Sequence, residues 1–253
     1  MRITFLGTGT SQGVPIIACD CEVCKSKDAK DKRLRSSIMI EDGDDTFVID
    51  TGPDFRQQML RENVQNLTAV IYTHEHKDHL GGMDDVRAFN FMLKKDINLY
   101  ATERVQKALK NDFHYAFADF KYPGVPLVNL VKIDSKPFVI NSTKFIPIEV
   151  VHHKLPVLGF RIKDFAYITD ANYISEKEKE KLKGVKTLVL NALRRKEHIS
   201  HFTLEEAIDL MNEIKPEKGY FTHISHQLGI HADVSKELPS FVELGYDGLK
   251  IEV

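Results

Sequence analysis

The chain has 253 residues, of which 42% are hydrophobic and 28% charged, the composition of an ordinary globular protein. Its formal net charge of −2 excludes a surface dominated by positive charge, such as a nucleic-acid coat protein carries. No apolar run approaches the roughly 20 residues that a membrane-spanning helix needs, so we expect no membrane partner.

Short apolar segments recur along the chain and predict strands. In chain order they are RITFL, SIMI, TFVID, AVIYT, INLYA, FVIN, KFIPIEVV, LGFRI, FAYIT, TLVLN and GYFTH, with a closing strand in YDGLKIEV. Helices are predicted in DFRQQMLREN, TERVQKALKND, SEKEKEKLK and TLEEAIDLMNEIK. An Asn-Ser pair predicts a hairpin turn within FVINSTKFIPI. The mixture favours one domain, residues 1–253, of sheets packed on each other with helices outside.

Three cysteines, Cys19, Cys21 and Cys24, form a C-x-C-x-x-C cluster. An odd, clustered set is a poor disulfide framework and suits a reducing compartment, so we expect a cytoplasmic protein. Thiolates at this spacing are also a familiar half-site for zinc, although no fourth ligand lies nearby in the sequence. Three reduced loop cysteines without a metal are the alternative interpretation.

The segment THEHKDHLGG, residues 73–82, follows the apolar run LTAVIY and holds His74, His76, Asp78 and His79. His74 and His76 are two residues apart, so in an extended segment both point the same way. Asp78 and His79 then follow where the chain turns. Imidazole together with carboxylate suits zinc, manganese or iron, and two ligands can go to each of two ions. The alternative is a polar loop that happens to be rich in histidine.

Three further predicted strands also end in potential ligands. IEVV is followed by His152 and His153, FAYIT by Asp170, and GYFT by His223, with His226 three residues later. One strand-ending Asp is more often a helix cap than a ligand. The recurrence of the pattern at four strand ends predicts one convergent metal site.

With these residues the chain resembles the metallo-β-lactamase superfamily, whose motif is H-x-H-x-D-H followed by a lone His, a lone Asp and a final His. The resemblance implies an α+β fold, a four-layer αββα sandwich with the site at one edge. It implies two catalytic divalent metals, zinc or manganese, held by His74, His76, Asp78, His79, His152, Asp170 and His223. Asp170 would bridge the two metals. His152 is preferred to His153 because HHKL looks like the H-x-K-L form of close relatives, but His153 remains a competitor.

Asp50, in VIDTG, is placed near the site by the same resemblance. It either supports the site or anchors the local turn, and the two interpretations have equal weight.

Within the superfamily, the motifs resemble a subgroup typified by the cyclic phosphodiesterase of the carbon–phosphorus lyase pathway, with ribonuclease Z-like relatives. In that subgroup the C-x-C-x-x-C loop shares a structural zinc with a histidine three residues past the final active-site histidine. The resemblance therefore implies a structural zinc held by Cys19, Cys21, Cys24 and His226.

HFTLEEA, residues 201–207, resembles a motif of phosphodiesterases in this superfamily, in which the histidine protonates the leaving alkoxide. Imidazole is well matched to that task, so His201 is our candidate general acid. An ordinary histidine near a helix cap is the alternative, and His198 either assists or lies on the surface. FLGTGTSQGVP, with Gly7, Gly9 and Gly13, resembles the first loop of these phosphodiesterases, whose backbone amides approach a phosphate.

The favoured function is hydrolysis of a small cyclic phosphate or nucleotide-like phosphodiester by a dinuclear-metal hydroxide, with His201 as acid and Asp78 as an essential ligand. Hydrolysis of a thioester or lactone on the same scaffold is the alternative, and a metal-dependent binding protein is a third. We expect no dedicated transfer-RNA binding, because the chain lacks the basic Lys/Gly-rich arm of ribonuclease Z. A homodimer is expected from the family alone.

Overall fold

The computed structural model describes residues 1–253, which form fifteen strands and eight helices. The strands are β1 (Arg2–Gly7), β2 (Ser37–Asp42), β3 (Asp45–Ile49), β4 (Ala69–Ile71), β5 (Ile97–Ala101), β6 (Val128–Lys132), β7 (Phe138–Ile140), β8 (Thr143–His152), β9 (Leu155–Ile162), β10 (Phe165–Ile168), β11 (Tyr173–Ile174), β12 (Thr187–Asn191), β13 (Lys218–Thr222), β14 (Val242–Leu244) and β15 (Lys250–Glu252). The helices are α1 (Glu22–Lys25), α2 (Phe55–Arg61), α3 (Lys77–Leu80), α4 (Arg87–Leu93), α5 (Glu103–Asp112), α6 (Glu176–Lys179), α7 (Leu204–Ile214) and α8 (His231–Val234). None of the helices is long and apolar enough to cross a membrane.

The strands form two sheets. The first has the order β15-β1-β2-β3-β4-β5-β6, and the second has the order β11-β8-β9-β10-β12-β13-β14 with β7 paired to β8. In the first sheet β3 to β6 run parallel, and in the second β10, β12, β13 and β14 run parallel. Parallel neighbours place their carboxyl ends on one edge of a sheet, which is where the polar residues of the sequence motifs lie.

Three apolar clusters separate four layers. The cluster between the sheets contains residues of both, such as Phe5 and Phe47 from the first and Phe145 and Phe160 from the second. A second cluster packs α2, α4 and α5 on the outer face of the first sheet, and a third packs α7 on the outer face of the second. The predicted αββα sandwich is therefore confirmed.

The predicted elements recur with small shifts, and the Asn-Ser hairpin joins β7 to β8. The sequence analysis missed the strands β6, β11 and β14, and it predicted no helix at Lys77–Leu80, where α3 lies. The predicted closing strand is β15, which pairs antiparallel with β1. Because the first and last strands share a sheet, we propose residues 1–253 as one domain.

Candidate metal centre

Four strand ends converge on one edge of the sandwich. β4 leads into the segment from His74 to His79, β8 ends at His152, and Asp170 and His223 follow β10 and β13. Asp170 and His223 have positive φ angles of 54° and 55°. A left-handed backbone is uncommon for residues other than glycine, and such strain concentrates at functional sites, where the surrounding structure holds it in place.

The converging side chains form two donor groups. The ligand atoms of the first group lie within 4.8 Å of one another, and its members are His74, His76, His152 and Asp170. The second group meets the same limit, and its members are Asp78, His79, Asp170 and His223. Every member is buried except His76. The first group is therefore the one that solvent reaches.

Asp170 joins the two groups through both of its carboxylate oxygens. Its Oδ2 lies 3.6 Å from His74 Nε2 and 3.4 Å from His79 Nε2, and its Oδ1 lies 3.0 Å from His223 Nδ1. Asp78 Oδ2 lies 3.1 Å from His79 Nε2. The shared carboxylate is arranged as the resemblance implied for Asp170.

Hydrogen bonds outside the two groups orient individual imidazoles. His79 Nδ1 donates to Asp50 Oδ2 over 2.7 Å, and His152 Nδ1 donates to the carbonyl oxygen of Ser200 over 2.7 Å. In both rings this leaves Nε2 for the donor group, because the other nitrogen carries the proton. Asp50 also accepts from the backbone amide and hydroxyl of Thr73, so it anchors the chain before His74 as well.

His152, not His153, belongs to the donor set. His153 is exposed, has a φ of 59°, and its backbone amide donates to Asn172 Oδ1 over 2.8 Å. The β8–β9 hairpin turns at this residue, which directs its side chain away from the site. The structure therefore brings His152, and not His153, into the first donor group.

Burial and neighbouring charges shift the pKa values of several members of the two donor groups. Burial opposes charge on His79, but Asp78, Asp170 and Asp50 outweigh it and raise the pKa of this imidazole well above its ordinary value. Burial likewise opposes charge on Asp170, yet His223 and His79 hold its pKa well below the ordinary value. Burial lowers the pKa of His74.

Two buried nitrogens test whether a metal fits here. His79 Nε2 and His223 Nδ1 have no hydrogen-bond partner, although each lies about 3 Å from a carboxylate oxygen. Buried polar atoms are rarely left unpaired, and nitrogen and oxygen atoms that crowd together without hydrogen-bond geometry are typical of metal ligands. The donor set, imidazole with carboxylate, also matches the preferences of zinc and manganese.

His201 lies beside both donor groups. Its ring centroid is 4.5 Å from that of His152 and 4.8 Å from that of His223, and its Nδ1 is buried without a hydrogen-bond partner. His198 stacks on the outer side, 5.0 Å from the His201 ring, and its Nδ1 lies 3.3 Å from the Ser200 hydroxyl. His201 is thus near the centre, and His198 touches it from outside the donor groups.

The predicted cysteine cluster assembles around His226. The sulfur atoms of Cys19, Cys21 and Cys24 lie 3.3, 3.3 and 3.6 Å from His226 Nδ1. Hydrogen bonding from the backbone amide of Cys24 lowers the pKa of the Cys21 thiol to about 6. Three sulfurs facing one ring nitrogen are an S₃N donor set, and four donors of this kind fit the tetrahedral coordination that zinc prefers.

The glycines of the first loop take part in close packing within the protein. The amides of Gly9 and Gly13 donate to the carbonyls of Leu34 and Thr10, so they are not free for a phosphate. A Cβ at Gly7 would lie 2.0 Å from the carbonyl oxygen of Arg35. These glycines permit close backbone packing, and the approach of other amides of this loop to a phosphate stays a prediction.

Sequence reasoning missed the groups that orient the ligands. The Ser200 carbonyl could not be predicted from the sequence, because every residue has a backbone carbonyl. Glu75, inside the H-x-H segment, belongs to neither donor group, and its Oε1 instead lies 2.8 Å from Arg104 Nε. The two residues are 29 positions apart in the chain, so no local pattern reveals their pairing.

Comparison with known proteins agrees with this geometry. Residues 45–224 match the family model of the beta-lactamase superfamily domain. The crystal structure of a diphosphatase from the PhnP family is 39% identical, with a TM-score of 0.93 over 100% of this chain and 97% of that chain. Zinc-bound PqqB from Methylobacterium extorquens superposes with a TM-score of 0.77 at 18% identity, covering 100% of both chains, and this shows the fold alone.

Two curated relatives are longer than this chain. An octanoyltransferase of Porphyromonas gingivalis is 40% identical over 253 residues, which are 99% of this chain and 51% of that protein. Ribonuclease Z of Nostoc punctiforme is 24% identical over 171 residues, 65% of this chain and 47% of that protein. The chain thus spans about half the length of these relatives. The family model and the full-length match to the diphosphatase show that the chain belongs to the metallo-β-lactamase superfamily, in the subgroup of the PhnP family.

Proposed function

We propose that the chain is a metal-dependent phosphodiesterase that hydrolyses a small cyclic phosphate or a nucleotide-like phosphodiester. The observation that carries the proposal is the position of His201, an imidazole packed against one ligand ring of each donor group. Hydrolysis of a diester with a poor alcohol leaving group needs a proton donor beside the metal pair. The diphosphatase relative supports phosphorus–oxygen cleavage as the reaction class.

The two donor groups would each hold one divalent metal, zinc or manganese, with Asp170 between them. Such a pair lowers the pKa of a bound water and stabilises the oxygens that enter and leave phosphorus. Asp50 and the Ser200 carbonyl bind Nδ1 of His79 and of His152, which leaves Nε2 of each imidazole free to hold a metal. His76, the exposed donor, marks the side from which a substrate arrives.

His201 differs from these ligands because it belongs to neither donor group, although its buried Nδ1 also has no hydrogen-bond partner. Burial, together with the neighbouring histidines His223, His152 and His198, lowers its pKa to about 2, against the opposing effect of Asp170. The free imidazole is therefore neutral at neutral pH. A bound phosphodiester brings a negative charge beside the ring, which raises the pKa and favours uptake of the proton that the leaving oxygen then receives.

The cysteine cluster supports a second, structural role for metal. We propose that Cys19, Cys21, Cys24 and His226 hold one zinc. Four protein donors leave no open coordination position, so this zinc would not take part in hydrolysis. It would hold the segment around α1 against the loop that carries both His223 and His226.

Acyl hydrolysis is the second candidate, favoured by the name of the octanoyltransferase relative. That name describes a protein of about twice this length, and the match covers only half of it. A thioester or lactone is uncharged at the reacting carbonyl, so it would not raise the pKa of His201 as a phosphodiester does. His201 therefore separates the two candidates.

The test compares two diesters with leaving groups of different quality. Metal-loaded protein is assayed with bis(p-nitrophenyl) phosphate, which has a good leaving group, and with a 2′,3′-cyclic nucleotide, which has a poor one. We expect His201→Ala to lower kcat on the cyclic nucleotide by about 10²–10⁴-fold and to affect the aryl diester much less. Asp78→Ala should abolish turnover of both.

His153→Ala is the matched control for His152→Ala, since the two histidines are adjacent and only His152 joins a donor group. We expect His153→Ala to keep wild-type turnover and His152→Ala to lose it. Absence of diester turnover in the metal-loaded wild type, together with hydrolysis of a thioester or lactone, would establish acyl hydrolysis instead.

A further inference from the structure

A single guanidinium connects the two parts of the chain that carry the histidines of the first donor group. Arg104 is the second residue of α5, a helix anchored by the buried side chains of Val105 and Leu109. Its Nε lies 2.8 Å from Glu75 Oε1, and its Nη2 donates to the carbonyl oxygen of Pro156. Neither of these partners belongs to a donor group.

Each partner is next to a ligand histidine. Glu75 lies between His74 and His76, and Pro156 pairs in register with Val151, the residue before His152. The same two chain segments meet a second time where the amide of Leu158, in β9, donates to the carbonyl of Thr73. Arg104 therefore contacts the residue between His74 and His76, and it contacts the residue that pairs with Val151, the chain neighbour of His152.

The ion pair also determines where the Glu75 carboxylate lies. Glu75 is the one acidic residue of the motif that joins neither donor group, and its carboxylate faces Arg104 instead. Loss of a group that hydrogen-bonds directly to a metal ligand typically costs 10–100-fold in metal affinity, and Arg104 acts one step further out, on chain neighbours of the ligands, so we expect an effect at the low end of that range.

We propose that Arg104 is a positioning residue of the first metal site, acting through Glu75 and the Pro156 carbonyl on His74, His76 and His152. The inference rests on the metal pair of the proposed function. A planar guanidinium reaches two partners at once, which a lysine ammonium on a flexible stem does less well. A second ion pair from α5, between Asp112 and Lys77, involves a lysine side chain that is 69% exposed, so we expect it to contribute little.

The test is manganese binding followed by electron paramagnetic resonance. Manganese is a hard ion that prefers imidazole and carboxylate, so the thiolates of the cysteine cluster do not compete for it. We expect wild type to bind two manganese equivalents, and Arg104→Met to weaken one of them by about tenfold while the other changes little. Arg104→Lys should give an intermediate affinity.

Lys107→Met is the matched control. Lys107 lies on the same helix and pairs only with Glu103 on its exposed surface. This variant should bind both equivalents as wild type does. The thermal midpoints of the metal-free proteins are measured alongside, because a residue that only docks α5 would lower the midpoint and weaken both equivalents together.

A double variant tests whether Arg104 acts through Glu75 and the Pro156 carbonyl. Glu75→Gln removes the ion pair but leaves the Arg104–Pro156 hydrogen bond, so it should weaken the first equivalent less than Arg104→Met does. Glu75→Gln combined with Arg104→Met should equal Arg104→Met alone, because both contacts are already lost. Wild-type affinity in Arg104→Met, or a uniform loss at both equivalents, overturns the proposal.

If Arg104→Met fails to fold, wild-type manganese affinity in Glu75→Gln overturns the proposal instead. The manganese affinities are measured without any turnover assay, so they test the role of Arg104 separately from the proposed reaction. Wild type that binds two equivalents but hydrolyses no diester overturns the proposed function alone.

Discussion

His231 lies in a buried polar cluster that joins the first loop of the chain to its C-terminal part. Its Nδ1 accepts a hydrogen bond from Arg33 Nη2 over 3.1 Å, and its backbone amide donates to Asp31. Arg33 Nη1 donates to the Thr8 hydroxyl and to the carbonyl of Gly245. Burial, and then the adjacent Arg33 guanidinium, lowers the pKa of His231 to about 4. A guanidinium can only donate, so protonating this imidazole breaks the contact.

This shift makes stability depend on pH. Because the folded pKa of about 4 lies below the ordinary value of about 6.5, the unfolded chain binds the proton more readily. The contribution to the free energy of unfolding is present above about pH 6.5 and is lost as the pH falls towards 4. We expect His231→Asn, whose amide oxygen still accepts from Arg33, to remove that part of the pH dependence.

The measurement is urea unfolding of both proteins across this pH range. The advantage of wild type over His231→Asn should shrink by about 2 kcal/mol between neutral pH and pH 4, after allowance for solvent screening. Acid also releases metal from the donor groups, but equally in both proteins, so the difference isolates His231. Parallel curves for the two proteins would contradict the prediction.

At the scale of single residues, the sequence allowed the ligand residues to be predicted, but not the groups that orient their side chains. The donor residues could be found because each follows an apolar strand, a pattern that a sequence displays. His152 and His153 could not be separated, because the choice depends on which residue the β8–β9 hairpin turns outward. His231, Arg33 and Arg104 could not be found, since their partners are distant in the chain and their role depends on burial.

At the scale of elements, α7 determines where His201 lies. The helix begins at Leu204, three residues after His201, and Thr203 caps it. The Thr203 hydroxyl accepts from the Glu206 amide, and the Glu206 carboxylate accepts from the Thr203 amide over 2.8 Å. This capping box satisfies backbone groups at the helix start and fixes the angle at which the preceding chain enters.

We expect Thr203→Ala to destabilise the protein by about 1 kcal/mol, the usual cost of losing a helix cap. It should also lower turnover of a cyclic nucleotide, because His201 loses its fixed position. Ser175→Ala is the control, since Ser175 caps α6 by accepting from the Glu178 amide and lies in a different part of the fold. Both variants are compared by urea unfolding and by kcat.

The control should lose stability without losing turnover. Equal loss of turnover in both variants would mean that stability alone, and not the position of His201, limits the reaction.

The sequence predicted long amphipathic helices and buried strands well, because their periodicity is strong. It missed β11 and β14, which are two and three residues long. It also missed α3, because a single helical turn inside a metal motif carries no periodicity. That turn places Asp78 and His79 together in the second donor group.

At the scale of the whole molecule, the metal centre joins the two sheets. The segment from His74 to His79 follows β4 of the first sheet, whereas His152, Asp170 and His223 follow strands of the second. The cysteine cluster makes a further connection, between the segment around α1 and His226. Strand patterns alone do not reveal which sheets pack together. The αββα order of the layers was therefore predicted only through the resemblance to the superfamily.

Metal bound at such a junction should stabilise the whole fold, because ions that bind only the folded state add their binding free energy to it. We expect removal of metal by a strong chelator to lower the midpoint of thermal unfolding by about 10 °C. Manganese should restore part of the loss, by filling the imidazole and carboxylate groups. Zinc should restore all of it, because thiolates prefer zinc.

His226→Ala separates the two contributions. Without its only nitrogen donor, the cysteine cluster should no longer hold a stabilising zinc, and zinc and manganese should then restore the midpoint to the same extent. Differential scanning fluorimetry of the chelated protein with each added metal measures this, and metal analysis should show one zinc fewer in the variant. Complete restoration of the wild type by manganese alone would contradict the prediction, because the cysteine cluster would then contribute no stability through metal.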